Sequence, residues 1–166
     1  MSTPAVKPSI GNIRADKTLP TEKVTHFRAL AARANYLAGD RTDLMYAVKE
    51  ICRSMASPTV GAWKKLKRLG RYLKGNARVA VKYPWQGDEQ EITGYSDSDW
   101  AGCRATGKST SGGALMIGQH LIKAWSRTQN HITLSSAEAE LYAMIEGVTR
   151  AKGLANLARE LGFVGL

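Results

Sequence analysis

Four acidic residues stand where side chains from different elements could meet. Asp97 ends an alternating run that predicts a strand, and Asp99 follows two residues later, although this spacing is also typical of a turn. Glu138 and Glu140 lie at the start of a predicted helix, where Ser135 and Glu138 form a capping box. Glu140 has no such local role. We expect the carboxylates of Asp97, at a strand end, and Glu140, at a helix start, to face one another. Such a pair could bind Mg²⁺, which prefers carboxylate oxygens.

A basic stripe lies on a predicted helix further upstream. Between Thr59 and Gln86 the sequence has eight Lys or Arg residues and no acid. Helical spacing places four of them on one side, and these define the basic stripe: Lys64, Lys67, Arg68 and Arg71. Like charges at this spacing repel one another, whereas bound phosphates would offset that cost by releasing counterions. The stripe therefore favours a nucleic-acid contact over a solvated face.

Residues 102–109 match the P-loop pattern GxxxxGK[ST] in full, which would indicate a nucleotide hydrolase. A P-loop requires a helix directly after the loop, because the helix N-terminus holds the phosphates. Residues 110–114 make a poor helix start, and the apolar run that follows ends at Gly118. The sequence instead predicts a strand over 111–118, paired with a strand over 121–126 across a hairpin-sized gap.

Helices surround these features along the chain. Apolar residues at helical spacing predict helices over residues 24–38, 44–55, 58–75 and 135–161. The third is expected to have Ser57 as its N-cap and Pro58 at its first position, and the fourth has a candidate break at Gly153. An alternating run over 78–83 predicts a further strand. The polar, proline-containing residues 1–23 predict a flexible tail.

The composition is that of a globular protein with an anionic partner. The chain has 166 residues, 43% hydrophobic and 23% charged, and a net charge of +10 with a pI near 9.8. It shows neither a signal peptide nor an apolar run long enough to span a membrane. Cys52 and Cys103 lack the spacing of a disulfide framework or a zinc site. We therefore expect an intracellular protein, cytoplasmic or nuclear, that contacts nucleic acid and no membrane.

Four motifs, in this order, resemble the ribonuclease H domain of copia-type retrotransposon Pol polyproteins. They are Tyr95–Gly102 (YSDSDWAG), Lys108–Gly112 (KSTSG), Trp125-Ser126 (WS) and Leu134–Glu140 (LSSAEAE). The segment from Phe27 to Gly75 resembles the part of that polyprotein that joins the reverse transcriptase to its ribonuclease H. The resemblance divides the chain into the tail, a helical connection over 24–76 and a partial ribonuclease H-like domain over 77–166.

The resemblance implies an α/β fold, namely a truncated ribonuclease H-like mixed sheet with a long helix, preceded by the three helices of the connection. The family hydrolyses the RNA strand of RNA–DNA hybrids, using two Mg²⁺ ions held by four carboxylates. By motif, Asp97 and Glu140 take two of these catalytic and metal-binding positions, while Asp99 and Glu138 lie nearby. The other two carboxylates are expected beyond Leu166, so we expect the chain to be inactive alone. Its expected partners are an RNA–DNA hybrid and the rest of the polyprotein.

Three classes of function stay open on the sequence alone. The first is a ribonuclease H, the second a non-catalytic nucleic-acid binder that keeps the basic stripe, and the third a nucleotide hydrolase based on the P-loop match. Magnesium-dependent cleavage of a hybrid separates the first from the second. The secondary structure directly after Lys108 decides the third.

Overall fold

The computed structural model describes residues 3–5, 16–87 and 91–163. These residues belong to two compact units, divided between Ala80 and Val81. The first unit contains α1 (Thr21–Leu37), a 3₁₀ turn (Thr42–Leu44), α2 (Met45–Cys52) and α3 (Val60–Gly75). The second contains β1 (Ile92–Cys103), β2 (Lys108–Ile117), β3 (His120–Thr128) and α4 (Ser136–Glu160).

The first unit is a cluster of three helices around one apolar core. Phe27 of α1, Ile51 of α2 and Leu69 of α3 are each at most 1% exposed. They belong to the apolar stripes from which the helices were predicted, and burying them against one another is the main stabilising contribution. All three helices predicted for this half of the chain are confirmed.

α3 begins two residues later than expected, so the assignment of Ser57 as its N-cap was wrong. Thr59 is the N-cap, because its Oγ1 accepts a hydrogen bond from the backbone N–H of Ala62 at 3.1 Å. Pro58 lies outside the helix. Its carbonyl oxygen accepts a hydrogen bond from the backbone N–H of Leu19 at 2.9 Å, which holds this stretch extended until Thr59.

Much of the predicted tail over residues 1–23 lies outside the described residues, but the part from Asp16 onward is packed. Both carboxylate oxygens of Asp16 accept a hydrogen bond from the backbone N–H of Gly61, each at 3.0 Å. Leu19 is 4% exposed and belongs to the core of the first unit. α1 then begins at Thr21.

The second unit is a three-stranded sheet in the order β1-β2-β3, with α4 packed against β1 and β2. The predicted α/β class is confirmed, but the described sheet is antiparallel rather than mixed. The predicted hairpin is also confirmed, because β2 pairs with β3 and places Ile117 opposite His120. Since β2 begins at Lys108, a strand stands where a P-loop would need a helix. The P-loop match is therefore coincidental.

The strand predicted over residues 78–83 is absent from the structure. Alternation alone does not make a strand, because the backbone also needs a partner strand for its hydrogen bonds. Val79, one of the apolar residues behind the prediction, is 49% exposed. Tyr83 instead attaches this segment to the hairpin through its side chain, since its hydroxyl donates to the carbonyl oxygen of Leu121 at 3.1 Å.

α4 is one continuous helix of 25 residues, so the candidate break at Gly153 does not occur. Its packed side is built from small residues, with Ala139 and Ala143 fully buried. A Cβ added at Gly147 would stand 3.3 Å from the Cβ of Ser96, which shows how closely helix and strand approach. The other side of α4 has apolar side chains that are more than half exposed: Leu141, Met144, Ile145 and Val148.

A partly buried ion pair in the first unit joins the connection between α1 and α2 to the end of α3. Arg41, 9% exposed, donates to Asp43 through Nε at 2.9 Å and Nη2 at 2.8 Å. The hydroxyl of Tyr72 donates to the same carboxylate at 2.8 Å, and Arg41 also donates to the carbonyl oxygen of Asn76 at 3.1 Å. The hydrogen bond from Arg41 holds the pKa of Asp43 below its usual value, against partial burial that would raise it.

We expect Gly113→Ala to destabilise the second unit while Gly112→Ala does not. A Cβ at Gly113 would overlap the indole ring of Trp125 and the carbonyl oxygen of Tyr95, whereas a Cβ at Gly112 has its nearest neighbour at 3.8 Å. Urea unfolding should show a loss of about 2 kcal/mol or more for Gly113→Ala and a change within about 1 kcal/mol for Gly112→Ala. Equal losses for the two variants would contradict the described register.

Asp43→Asn is expected to destabilise the first unit by about 1–2 kcal/mol at neutral pH, because Arg41 loses the ionised acceptor of two of its hydrogen bonds at a partly exposed site. The pKa of Asp43 is lower in the folded than in the unfolded chain. Its contribution is therefore complete above the unfolded pKa, about 4, and disappears as the pH falls through the folded pKa. Unfolding measured from pH 7 downward should show the variant approaching the parent below about pH 4. A difference that persists unchanged in acid would argue against this assignment.

Candidate functional site

Glu140 reaches from α4 to the backbone of β1 beside Asp97. Its Oε1 accepts one hydrogen bond from the hydroxyl of Ser98 at 2.7 Å and another from the backbone N–H of Ser98 at 3.2 Å. Hydrogen bonds to a carboxylate are stronger than those between neutral groups. Glu140 therefore contacts the residue that follows Asp97 on β1.

Glu140 can reach the backbone N–H of Ser98 because β1 is an edge strand. Among the described residues β1 pairs with β2 alone, so its outward N–H groups have no strand beside them. The N–H of Ser98 is such a group, and Glu140 satisfies it. This contact is a sufficient structural role for one oxygen of Glu140. Within the described part of the chain its Oε2 accepts no hydrogen bond, and the residue is exposed.

Asp97 and Glu140 approach the edge of β1 from different sides. Ser96 faces Gly147 and Ser98 faces Glu140, so both serines are directed toward α4. Because successive side chains of a strand alternate, the Cβ of Asp97 points to the other face. The expectation that the two carboxylates face one another across one surface is therefore not met. They can approach each other only around the open edge of the strand.

A buried chain of hydroxyl groups holds the segment before α4 against β1. Ser109 is fully buried and Thr133 is 4% exposed, and their hydroxyls lie 2.8 Å apart. The hydroxyl of Ser109 also accepts a hydrogen bond from the backbone N–H of Ala101 at 3.1 Å. The indole of Trp100 donates to the carbonyl oxygen of Thr133 at 3.2 Å. These bonds fix the end of β1 relative to the start of α4.

Gln129 makes a second connection to the start of α4. Its Nε2 donates to the hydroxyl of Ser111 at 3.0 Å and to the carbonyl oxygen of Ala139 at 2.9 Å. Ala139 immediately precedes Glu140, so this amide ties the helix to β2 at the level of the candidate site. The predicted cap is confirmed as well, because the backbone N–H of Glu138 donates to the hydroxyl of Ser135 at 3.1 Å.

Asp99 lies in an irregular part of β1. The pairing of β1 with β2 shifts between Asp99 and Cys103, and Ala101 has a positive φ of 49°. A Cβ at Gly102 would overlap the carboxylate of Asp99, so glycine allows that carboxylate to fold back over the chain. Bulges of this kind re-aim side chains near the end of a strand.

The described residues contain no group of three or more His, Cys, Asp or Glu side chains arranged to hold a metal ion. Asp97 and Glu140 are both exposed, and neither forms an ion pair with another described residue. They are hard oxygen donors of the type that Mg²⁺ takes. Two carboxylates supply part of a magnesium site, with further ligands needed from water, substrate or other residues.

The basic stripe of the first unit is confirmed as one continuous surface on α3. All four of its members line the same groove between α2 and α3. Lys64, Lys67 and Arg71 are exposed, and Arg68 is partly buried. Lys67 also lies over the ring of Trp63, with 5.9 Å between its Nζ and the ring centroid. Such a surface can contact phosphates without rearrangement of the helix.

Sequence reasoning missed the residues that position the candidate site. Ser98 is the contact of Glu140, and Ser109, Thr133 and Gln129 hold the elements together. Small polar residues in strands and loops give no signal of their own, because most of them face solvent. Ser109 lies within the motif Lys108–Gly112, and this is the one sequence signal of a specific role for it.

Comparison with known proteins identifies relatives of part of the chain. It is 34% identical over 138 residues to the retrovirus-related Pol polyprotein from transposon RE2 of Arabidopsis thaliana, which covers 83% of this chain. The polyprotein from transposon RE1 of the same plant is 33% identical over 138 residues, again 83% of this chain. The chain spans 9% of the length of each of these two polyproteins.

A shorter relative matches over most of its own length. The secreted RxLR effector protein 161 of Plasmopara viticola is 30% identical over 130 residues, which are 78% of this chain and 91% of the effector. No protein-family model matches the chain. No solved structure matches it either. Over the described residues, none of the helices combines the length and apolar character required to cross a membrane.

Proposed function

We propose that this chain, which is similar to segments of retrotransposon Pol polyproteins, is the copia-type segment that joins a reverse transcriptase to its ribonuclease H. The activity proposed for the complete polyprotein is hydrolysis of the RNA strand of RNA–DNA hybrids. The observation that supports the proposal is the hydrogen bonding of Glu140 on α4 to Ser98, the residue that follows Asp97 on β1. Both carboxylates come from the motifs on which the resemblance rests.

The proposed chemistry uses Asp97 and Glu140 as ligands of Mg²⁺ at the open edge of β1. One oxygen of Glu140 is held by Ser98, which orients its second oxygen toward solvent. An Mg²⁺ ion bound there would activate water and stabilise the leaving oxygen of the cleaved phosphodiester. Around it, Ser98 fixes Glu140, and Thr133 and Gln129 fix the start of α4. Further carboxylates of the polyprotein would complete the two-metal site.

The basic stripe is the proposed contact for the phosphates of nucleic acid. Support comes from the four aligned cationic side chains and from the net charge of +10. A non-catalytic nucleic-acid binder is the second candidate function, and it is favoured by the same stripe together with the absence of a three-ligand metal cluster among the described residues. A nucleotide hydrolase is no longer a candidate, since β2 occupies the position of the required helix.

We expect the 166-residue chain to cleave an RNA–DNA hybrid in magnesium only at background rate, because two carboxylates form half of the proposed ligand set. A longer piece of the polyprotein that supplies the other carboxylates should cleave, and Asp97→Asn or Glu140→Gln should abolish that cleavage. Glu22→Gln, which removes an exposed acid of α1, is the matched control and should cleave normally. Gel analysis of a labelled hybrid gives the rates.

Two results would contradict this assignment. Clear cleavage by the chain alone, abolished by both substitutions, would mean that the site is complete by another route, such as Asp99 or a second chain. Normal cleavage by the longer piece carrying Asp97→Asn would remove Asp97 from the metal site.

The triple substitution of Lys64, Arg68 and Arg71 by Ala is expected to weaken binding of the chain to an RNA–DNA hybrid. Each lost phosphate contact should lower the slope of log affinity against log salt by about one unit. A charge-matched control replaces three exposed cations that lie outside α3, namely Lys17, Lys23 and Arg33. It should lose less affinity and keep most of the salt dependence. Fluorescence anisotropy at several salt concentrations measures both quantities. If the two triple variants behave alike, the stripe is only a solvated face.

A further inference from the structure

The groove between α2 and α3 has a basic wall and an apolar floor. Its volume is about 530 Å³, which lies within the range of sites that bind small organic ligands. Ala47 and Ile51 are 2% and 1% exposed and belong to the floor. The basic stripe forms the α3 wall, and Tyr46 stands on the α2 wall. A ligand with one anionic and one apolar part would match this lining.

The groove has an excess of positive charge. Glu50 is the one acidic side chain among its described lining residues, and it is shared by three cations: Lys49 at 3.1 Å, Arg53 at 3.3 Å and Lys65 at 3.9 Å. Burial alone would raise the pKa of Glu50, but these neighbours hold it below its usual value. No ion pair joins the basic stripe to Glu50 or to another described acid. The stripe is therefore free to bind an added anion.

Arg68 marks the position of that anion. Its Nε is buried and has no hydrogen-bond partner among the described residues, while its Nη2 donates to the hydroxyl of Thr3 at 3.0 Å. A guanidinium offers a planar fork of donors that matches two oxygens of a phosphate. Thr3 supplies a single neutral oxygen, and with Pro4 and Ala5 it lies against this groove. A phosphate could offer Arg68 two charged oxygens in place of this one.

Resting on the proposed nucleic-acid function, we propose that this groove binds a single strand of nucleic acid. One phosphate replaces Thr3 as the acceptor for Arg68, and a base lies along the groove beside Tyr46 of the α2 wall. Single-strand sites combine a cationic groove with apolar or aromatic surfaces for bases in this way. A groove of about 530 Å³ can take a nucleotide of a single strand, whereas a double helix is too wide to enter it. An RNA–DNA hybrid would instead contact only the exposed side chains of the basic stripe, namely Lys64, Lys67 and Arg71.

The test compares a fluorescein-labelled single-stranded RNA of about 12 nucleotides with the RNA–DNA hybrid of the same sequence. The parent chain should bind the single strand more tightly than the hybrid. Thr3→Asp places a carboxylate beside Arg68, where it competes with phosphate, and should weaken single-strand binding about tenfold relative to Thr25→Asp. Thr25 is exposed on α1, so this control makes the same change in net charge away from the groove. For the hybrid, the two variants should differ by no more than about twofold.

Arg68→Lys provides an independent measurement, because it keeps the charge and removes the planar fork. It should weaken single-strand binding several-fold without changing the slope against salt. Thermal unfolding of each variant checks that the first unit is folded. Equal single-strand affinities for Thr3→Asp and Thr25→Asp, or tighter binding of the hybrid by the parent, would overturn the groove site while leaving the stripe as a phosphate contact. Unchanged binding after loss of the whole stripe would instead overturn the proposed function.

Discussion

Close packing of α4 on β1 is the constraint on which the second unit depends. The contact is possible because the facing residues are small, with Gly147 set above Ser96 and Ala143 fully buried. Since a Cβ at Gly147 would already stand 3.3 Å from Ser96, a larger side chain would lift the helix. The distance between helix and strand in turn decides how far a side chain of α4 can reach. At this distance, Glu140 reaches the backbone of Ser98.

Features that depend on neighbours in sequence were predictable, and those that depend on distant partners were not. The cap at Ser135 was read correctly because donor and acceptor lie within one helical turn. The cap expected at Ser57 lies instead at Thr59. Leu19, which is far away in the sequence, donates a backbone hydrogen bond to Pro58 and keeps that residue out of the helix. The alternating run over 78–83 contained no information about whether a partner strand would be present. In both of these failures the local sequence contains one partner of a contact and carries no information about the other.

The candidate site shows the same division between what a motif indicates and what only a structure reveals. Asp97 and Glu140 were found from their motifs, and their placement on β1 and near the start of α4 followed from the pattern of the surrounding residues. The pattern did not predict that they approach from opposite faces of the strand. That outcome depends on which set of alternate β1 side chains packs against α4. The hydrogen bond between Ser98 and Glu140 joins residues 42 positions apart. No local pattern predicts that bond.

The charges around the acidic residues give a physical reason to regard Glu140 as more than an anchor for β1. In the first unit, Asp43 and Glu50 are each paired with described cations. At the edge of β1, Asp97 and Glu140 have no such partner within the described chain, although the protein has a net charge of +10. A glutamine would accept the same hydrogen bonds from Ser98 more weakly, so the negative charge of Glu140 strengthens this anchor. An exposed carboxylate left without a described cation is also the kind of group that can bind an added one.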